Sequence, residues 1–144
     1  HYEVVHHSEF LAELVAEGRL KVNRSATEPV TFHDPCYLAR VNGIVDAPRE
    51  VLEATGAQLD ELPRNGCRTA CCGGGGGRMW LDDGPDERVG RDRIQEISAA
   101  GAGTVVVACP FCRTMIGDGL ATDGPDVNIV DLAEVLVESL EEPG

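Results

Sequence analysis

The sequence predicts an α/β domain: a mostly parallel sheet with helices on both faces. Three observations lead there. The apolar residues are mostly Val, Leu and Ala, with only 4% aromatics, a composition suited to aliphatic strands buried between layers. Short strand patterns alternate with helical patterns along the whole chain, as in repeated β-α units. Thr104-Val105-Val106-Val107-Ala108 is an uninterrupted, mostly β-branched run, as expected of a strand covered on both sides. At 144 residues the chain is long enough for a single domain, residues 1–144, with a real hydrophobic core.

The elements follow in order. Residues His1–Gly18 read as a helix with Phe10, Leu11, Leu14 and Val15 on its apolar face, Ser8 as N-cap and Gly18 as its stop. His6 and His7 point in different directions and read as surface or partner-packing residues. Arg19–Pro29 is a polar connection. Val30–His33 is a short strand stopped by Pro35, so Cys36 lies just beyond its C-terminal end. A helix opens at Asp46 or Ala47, carries Pro48 in its first turn, turns Val51 and Leu52 inward and ends at Gly56. Gln58–Leu62 is a second short strand closed by Pro63. Arg64–Arg78 is then a long loop, and loops of that length inside a compact domain are usually functional.

Residues Asp86–Ala100 form an amphipathic helix with Val89, Ile94 and Ile97 buried, ended by Gly101 and Gly103. The Thr104–Ala108 strand runs into Cys109-Pro110-Phe111-Cys112, where Pro110 suits the first turn of a helix continued by Met115 and Ile116. Ala121–Asp126 reads as a loop and Val127–Val130 as a strand. Asp131 caps a final helix with Leu132, Val135, Leu136 and Leu140 inside, and Glu141–Gly144 is a frayed tail.

Charge and cysteine usage narrow the function. A net charge of -13 excludes nucleic acid as a partner, because phosphate binding needs a basic surface. Eleven arginines stand against one lysine, Lys21; acidity with lysine avoidance suits a salt-rich environment, and equally a GC-rich genome with an acidic surface. No run has the length of a membrane span and no secretory signal is present, so the expected location is cytoplasmic. The chain begins at His1, and the expectation is a processed product or one domain of a longer protein. Six cysteines in this setting point to metal or redox chemistry rather than a disulfide framework.

Parallel strands with right-handed crossovers place their C-terminal ends on one edge, where ligand sites of open parallel sheets lie. Cys36, the Cys71-Cys72 loop and the Cys109–Cys112 pair each follow a strand, so three cysteine groups converge there, at the C-terminal edge of the strands. Thirty-four residues separate Cys36 from Cys71, and thirty-six separate Cys72 from Cys109. Thiolates are preferred ligands of iron–sulfur centres and of zinc. Five converging thiolates are one more than a tetrahedral zinc ion takes, and two on adjacent residues more readily address different metals of a cluster. A helix N-terminus at Cys109 further favours thiolate. Two alternatives remain: a structural zinc-binding module, and cluster-free dithiol chemistry at Cys109-x-x-Cys112. The glycines at 73–77 let the backbone lie close against a bound group. They form neither a dinucleotide fingerprint nor a phosphate loop.

The cysteine pattern, with His33-Asp34-Pro35-Cys36-Tyr37-Leu38, Pro63-Arg64-Asn65, Cys71-Cys72-Gly73, Gly77-Arg78-Met79-Trp80 and Ala108-Cys109-Pro110-Phe111-Cys112, resembles the cysteine-rich CCG domain of the heterodisulfide reductase family. It is most similar to the C-terminal CCG domain of membrane-associated iron–sulfur oxidoreductases, and His6-His7-Ser8-Glu9 fits that subgroup. The resemblance implies a [4Fe-4S] centre, of the noncubane type in heterodisulfide reductase itself, held by Cys36, Cys71, Cys72, Cys109 and Cys112. It implies electron transfer in a heterodisulfide reductase-like or flavoprotein-to-quinone system. The implied partners are a second CCG domain, a ferredoxin-like or membrane part of the same complex, electron-transfer flavoprotein and quinone. It also implies a place at the cytoplasmic face of the membrane through an upstream region. Cys67 falls outside the pattern and reads as a loop thiol without a duty. Arg78 either offsets cluster charge or pairs with a surface carboxylate. Trp80 reads as a packing anchor, and His33 as a strand cap or a hydrogen-bonding neighbour of Cys36.

Overall fold

Among the described residues, the β-branched run is one of the two inner strands of a four-stranded parallel sheet. The computed structural model describes residues 1–23, 28–82, 84 and 87–141. Strands β1 (Pro29–His33), β2 (Gln58–Leu59), β3 (Thr104–Val107) and β4 (Asn128–Asp131) are ordered β2-β1-β3-β4, all parallel. Val30 to His33 pair with Thr104 to Val107, which in turn pair with Asn128 to Asp131. Among the described residues five α-helices accompany the strands: α1 (His7–Ala16), α2 (Asp46–Thr55), α3 (Arg91–Ala100), α4 (Pro110–Asp123) and α5 (Leu132–Glu138).

Strand alternation divides the core into two layers. Phe32, Val106 and Ala108 face Ala12, Val51, Leu52, Leu132 and Leu136, so α1, α2 and α5 cover one side. Val105 and Val107 face Ile94, Ile97, Ile116 and Leu120, so α3 and α4 cover the other. The α/β class expected from the composition is the class observed.

Several boundaries move, each for a local reason. Helix α1 starts at His7 because His6 is its cap. The Ser8 N–H donates to His6 Nδ1 (3.2 Å), and the Glu9 carboxylate accepts from the His6 N–H (3.2 Å). Ser8, the expected cap, is buried inside the first turn, and Phe10 is half exposed, leaving Leu11, Ala12 and Val15 to pack. Leu20 and Val22, in the expected polar connection, pack on the first core, and Val22 pairs with Leu140 in an antiparallel bridge. Residues 24–27 of that connection lie outside the described residues, as do the tail residues 142–144.

Strand β2 ends at Leu59 rather than Leu62. After the Asp60 N–H donates to the Val30 carbonyl (2.8 Å), the chain leaves the sheet and Leu62 enters the second core. The expected opening of α3 at Asp86 lies outside the described residues; the helix is formed from Arg91, and Val89 is partly exposed rather than buried. Helix α4 runs through Ala121 and Thr122, where a loop was expected, with Thr122 Oγ1 donating to the Asp118 carbonyl (2.8 Å). Helix α5 has the predicted cap: Asp131 accepts from the Ala133 N–H (3.0 Å), and Glu134 completes a capping box.

Candidate metal centre

Beyond β1 the chain passes Asp34 and Pro35, and at Cys36 it enters one wide π-type helical turn, Tyr37–Val41. Such turns are rare and frequent at functional sites. Asp34 fixes the geometry there. Its carboxylate is almost fully buried and accepts from Arg49 Nη1 (2.8 Å), Arg49 Nη2 (3.0 Å) and the Gly66 N–H (2.8 Å). Burial works against the Arg49 charge, but Asp34 and Glu61 outweigh it, so the guanidinium holds its proton more tightly than usual. The Thr69 hydroxyl donates to the Asp34 carbonyl (3.0 Å), and buried Arg93 of α3 donates to Thr69 Oγ1 (2.9 Å) and to the Arg64 carbonyl (2.6 Å). These bonds hold the 64–70 stretch against the end of β1 and deliver Cys71 and Cys72 beside it.

The third group comes from β3 and α4. Cys109 sits at the N-cap position of α4, Pro110 occupies its first turn, and Cys112 follows within that turn, buried. Cys72 is buried too, whereas Cys36, Cys71 and Cys109 are partly exposed. One ligating atom from each of His33, Cys72 and Cys112 lies within 4.8 Å of the others.

The thiols are electrostatically joined. Hydrogen bonds from Cys112 and Cys71 hold Cys72 far below an ordinary thiol, despite burial. Sharing with Cys72 pushes Cys71 up, and sharing with Cys109 and Cys72, together with burial, pushes Cys112 up. Cys112 and the backbone N–H groups of Cys112 and Phe111 lower Cys109 to about 6. Cys36 adds its own field at Cys71. The structure therefore brings all five candidate thiols to the strand C-terminal edge. Cys67 lies apart: its thiol is exposed and donates to the Ala39 carbonyl (3.4 Å).

His33 neither caps the strand nor turns toward Cys36. It is 1% exposed, it sits beside Cys72 and Cys112, and neither ring nitrogen makes a hydrogen bond of regular geometry among the described residues. Burial lowers its pKa, and the Cys72 sulfur acts in the opposite direction. Alternation carried the missing signal. With Phe32 in the first core, His33 must face the second, where Cys112 is.

The glycines serve packing more than expected. Gly73 adopts φ +90°, and a Cβ on Gly74 would lie 2.9 Å from Met115 Cγ. Gly90, just before α3, is the tightest: a Cβ there would lie 2.5 Å from the Cys72 carbonyl oxygen. Because that neighbour is backbone, it cannot turn aside. Gly90→Ala is expected to lower stability by about 1–3 kcal/mol and to displace Cys72. Gly75→Ala, with open space around it, should stay within about 0.5 kcal/mol of the parent. Urea midpoints of the two variants check the contrast.

Trp80 is 81% exposed, so it is not a packing anchor within this chain. Tyr37 and Phe111 are also exposed, and each is next in sequence to a cysteine, Cys36 and Cys112 respectively. A cavity of about 720 Å³ adjoins the Cys71-Cys72 loop, lined by Cys72, Gly73, Arg78, Arg88, Arg91 and Met115 among others. Among the described residues no helix is long and apolar enough to cross a membrane.

Residues 30–117 match the cysteine-rich domain family CCG, a span that contains all three cysteine groups. The chain is 42% identical over 141 residues to the probable iron-sulfur-binding oxidoreductase FadF of Bacillus subtilis, covering 96% of this chain and 20% of that protein. It is 42% identical over 149 residues to the EtfAB:quinone oxidoreductase of Syntrophomonas wolfei, covering 97% and 21%. It is 37% identical over 143 residues to a polypeptide of the dihydromethanophenazine:CoB–CoM heterodisulfide reductase of Methanosarcina mazei, covering 96% and 34%. The chain thus spans between a fifth and about a third of the length of these relatives, the first named an iron-sulfur-binding oxidoreductase, the second a quinone oxidoreductase and the third a part of a heterodisulfide reductase. With the family match over more than half its length and its cysteines gathered at one sheet edge, the chain belongs to the CCG cysteine-rich domain family.

Proposed function

We propose that this chain is an electron-carrying iron–sulfur domain. In this reading Cys36, Cys71, Cys72, Cys109 and Cys112 hold a [4Fe-4S] centre of the noncubane type. The observation that carries it is the convergence of the thiols: five cysteines from three separate segments at one sheet edge, with Cys72 and Cys112 buried and within 4.8 Å of each other. An all-thiol donor set suits iron–sulfur ligation. The neighbouring thiols and backbone N–H groups favour thiolate at Cys72 and Cys109, the form that metal binding requires. When bound, the centre supplies one-electron transfer. The protein's part is to hold it with buried Cys72 and Cys112 on the inner side and partly exposed Cys36, Cys71 and Cys109 toward the surface.

The exposed Tyr37 and Phe111, next in sequence to Cys36 and Cys112, support docking of this edge against a redox partner. We infer that the domain is the C-terminal CCG unit of a longer protein. It would work beside a second CCG unit and a ferredoxin-like or membrane part, exchanging electrons with electron-transfer flavoprotein and quinone. Relatives named for EtfAB and quinone support that direction. A second reading, a single zinc ion, draws on the close approach of His33, Cys72 and Cys112.

Iron, acid-labile sulfide and zinc content of protein made without oxygen, with EPR of the oxidised and reduced forms, tests the reading. About four irons and sulfides per chain with a matching paramagnetic state is the expected result. Stoichiometric zinc without iron would overturn it. Cys67→Ala is expected to keep the iron content and spectrum of the parent. Iron loss in that variant would show that the ligand set is wrong.

A further inference from the structure

We propose that His33 donates an imidazole N–H to a sulfur of the group held by Cys72 and Cys112, and so sets that group's reduction potential; this rests on the iron–sulfur reading above. The argument starts from burial. His33 is 1% exposed at the end of β1, and neither ring nitrogen makes a hydrogen bond of regular geometry among the described residues. An imidazole carries at least one N–H in any protonation state, and a buried donor without an acceptor costs about 1–3 kcal/mol. Buried polar groups are nearly always paired, and an exception calls for an unseen partner.

The place of that partner is narrow. Strand alternation sends His33 into the layer that holds Cys72 and Cys112, and a nitrogen of its ring lies within 4.8 Å of both sulfurs. The surrounding packing is apolar: Leu62, Ile94, Val107 and Ile116 belong to the same cluster as the two thiols. Buried Arg93 is the nearby cation: its Nη2 donates to Thr69 and to the Arg64 carbonyl, its Nη1 lies 3.1 Å from Glu96, and its Nε, without a partner among the described residues, is a donor that cannot accept a proton from His33. Sulfur on the Cys72–Cys112 side is what remains for the His33 proton.

Donation explains the environment better than ligation does. A metal-bound histidine normally passes its second N–H to a carboxylate, carbonyl or water, and His33 has no such acceptor among the described residues. A donating His33 leaves only a bare lone pair. Hydrogen bonds to cluster sulfurs are among the factors that set reduction potential. By withdrawing negative charge, an N–H donor favours the more electron-rich, reduced form.

The test uses the chain made without oxygen, the parent beside His33→Leu and His33→Gln, with iron and sulfide measured first. Parent protein without iron sinks the iron–sulfur reading and this proposal together. With iron present, an EPR-monitored titration is expected to place His33→Leu at lower potential. The reduced-to-oxidised ratio at fixed potential should fall about tenfold, equivalent to about 59 mV for one electron, whereas His33→Gln, which keeps an N–H, should stay near the parent. An unchanged potential in an iron-replete His33→Leu protein overturns the proposal alone. Should His33→Leu not hold iron, the parent decides the matter through pulsed EPR after ¹⁵N-histidine labelling. A weak nitrogen coupling that is absent in His33→Gln supports donation. A coupling of directly bonded size, or none at all, overturns it.

Discussion

Cys72→Ser is expected to take iron and acid-labile sulfide to background. Altering residues that merely support a ligand already lowers metal affinity by about 10–100-fold, and in the proposed reading Cys72 is itself a ligand. It is the thiol that joins Cys71, Cys112 and His33. A serine hydroxyl is harder and far less acidic than a thiol, which makes it a much poorer ligand than thiolate at an iron–sulfur site. The loss should occur without unfolding. Serine is nearly isosteric, and the sheet beneath is built from Val105, Val107 and Ile116 rather than from the thiols. Far-UV circular dichroism of the variant should therefore match that of parent protein stripped of metal. Retained iron with an unchanged spectrum would remove Cys72 from the ligand set.

The second large effect falls on stability. Asp34→Ala takes the acceptor from both Arg49 nitrogens and from the Gly66 N–H at once. Breaking a buried ion pair by removing one partner costs about 3–5 kcal/mol, because the other charge is left uncompensated. Arg49 is not wholly buried and also pairs with Glu61, which places the expected loss toward the lower end of that range. Urea unfolding of the metal-free chains measures it. In an Asp34→Ala/Arg49→Met pair, part of the loss should return, since the charge left without a partner is then the exposed Glu61 carboxylate rather than the largely buried Arg49; the non-additivity is the signature of a direct pair. A single-variant loss below about 1 kcal/mol would mean that the network behaves like a surface ion pair.

Much of this architecture was legible because some residues leave little choice. Proline at 35 and at 110 ended β1 and opened α4, so Cys36 and Cys109 had to sit just past strand ends. The β-branched run at 104–107 could be little else than an inner strand, and Gly56, at φ 83°, closed α2 where its sequence predicted. The rest depended on contacts between distant segments. Histidine is not a common cap, so His6 hid the start of α1. Nothing local says that Gly90 must lie on the Cys72 carbonyl, so the start of α3 was placed too early. A polar stretch gives no hint that Thr69 will receive a buried arginine from α3 across 24 residues. His33 was recoverable in principle from the pleat, but only once Phe32 had been assigned to the opposite layer.

The wide sequence gaps between the cysteine groups carry a further consequence, in chain entropy. Thirty-four residues separate the first group from the second and thirty-six the second from the third. A group bound to all three closes two long loops with a single fastening. On the cross-link view, tying off a loop of that length lowers the free energy of folding by about 3–4 kcal/mol through the unfolded chain alone. Such a fastening has little to grip until β1 and β3, which are far apart in sequence, have paired, and pairings of that kind form slowly. The thiols are thus presented by the finished sheet, and what binds them then resists its unfolding.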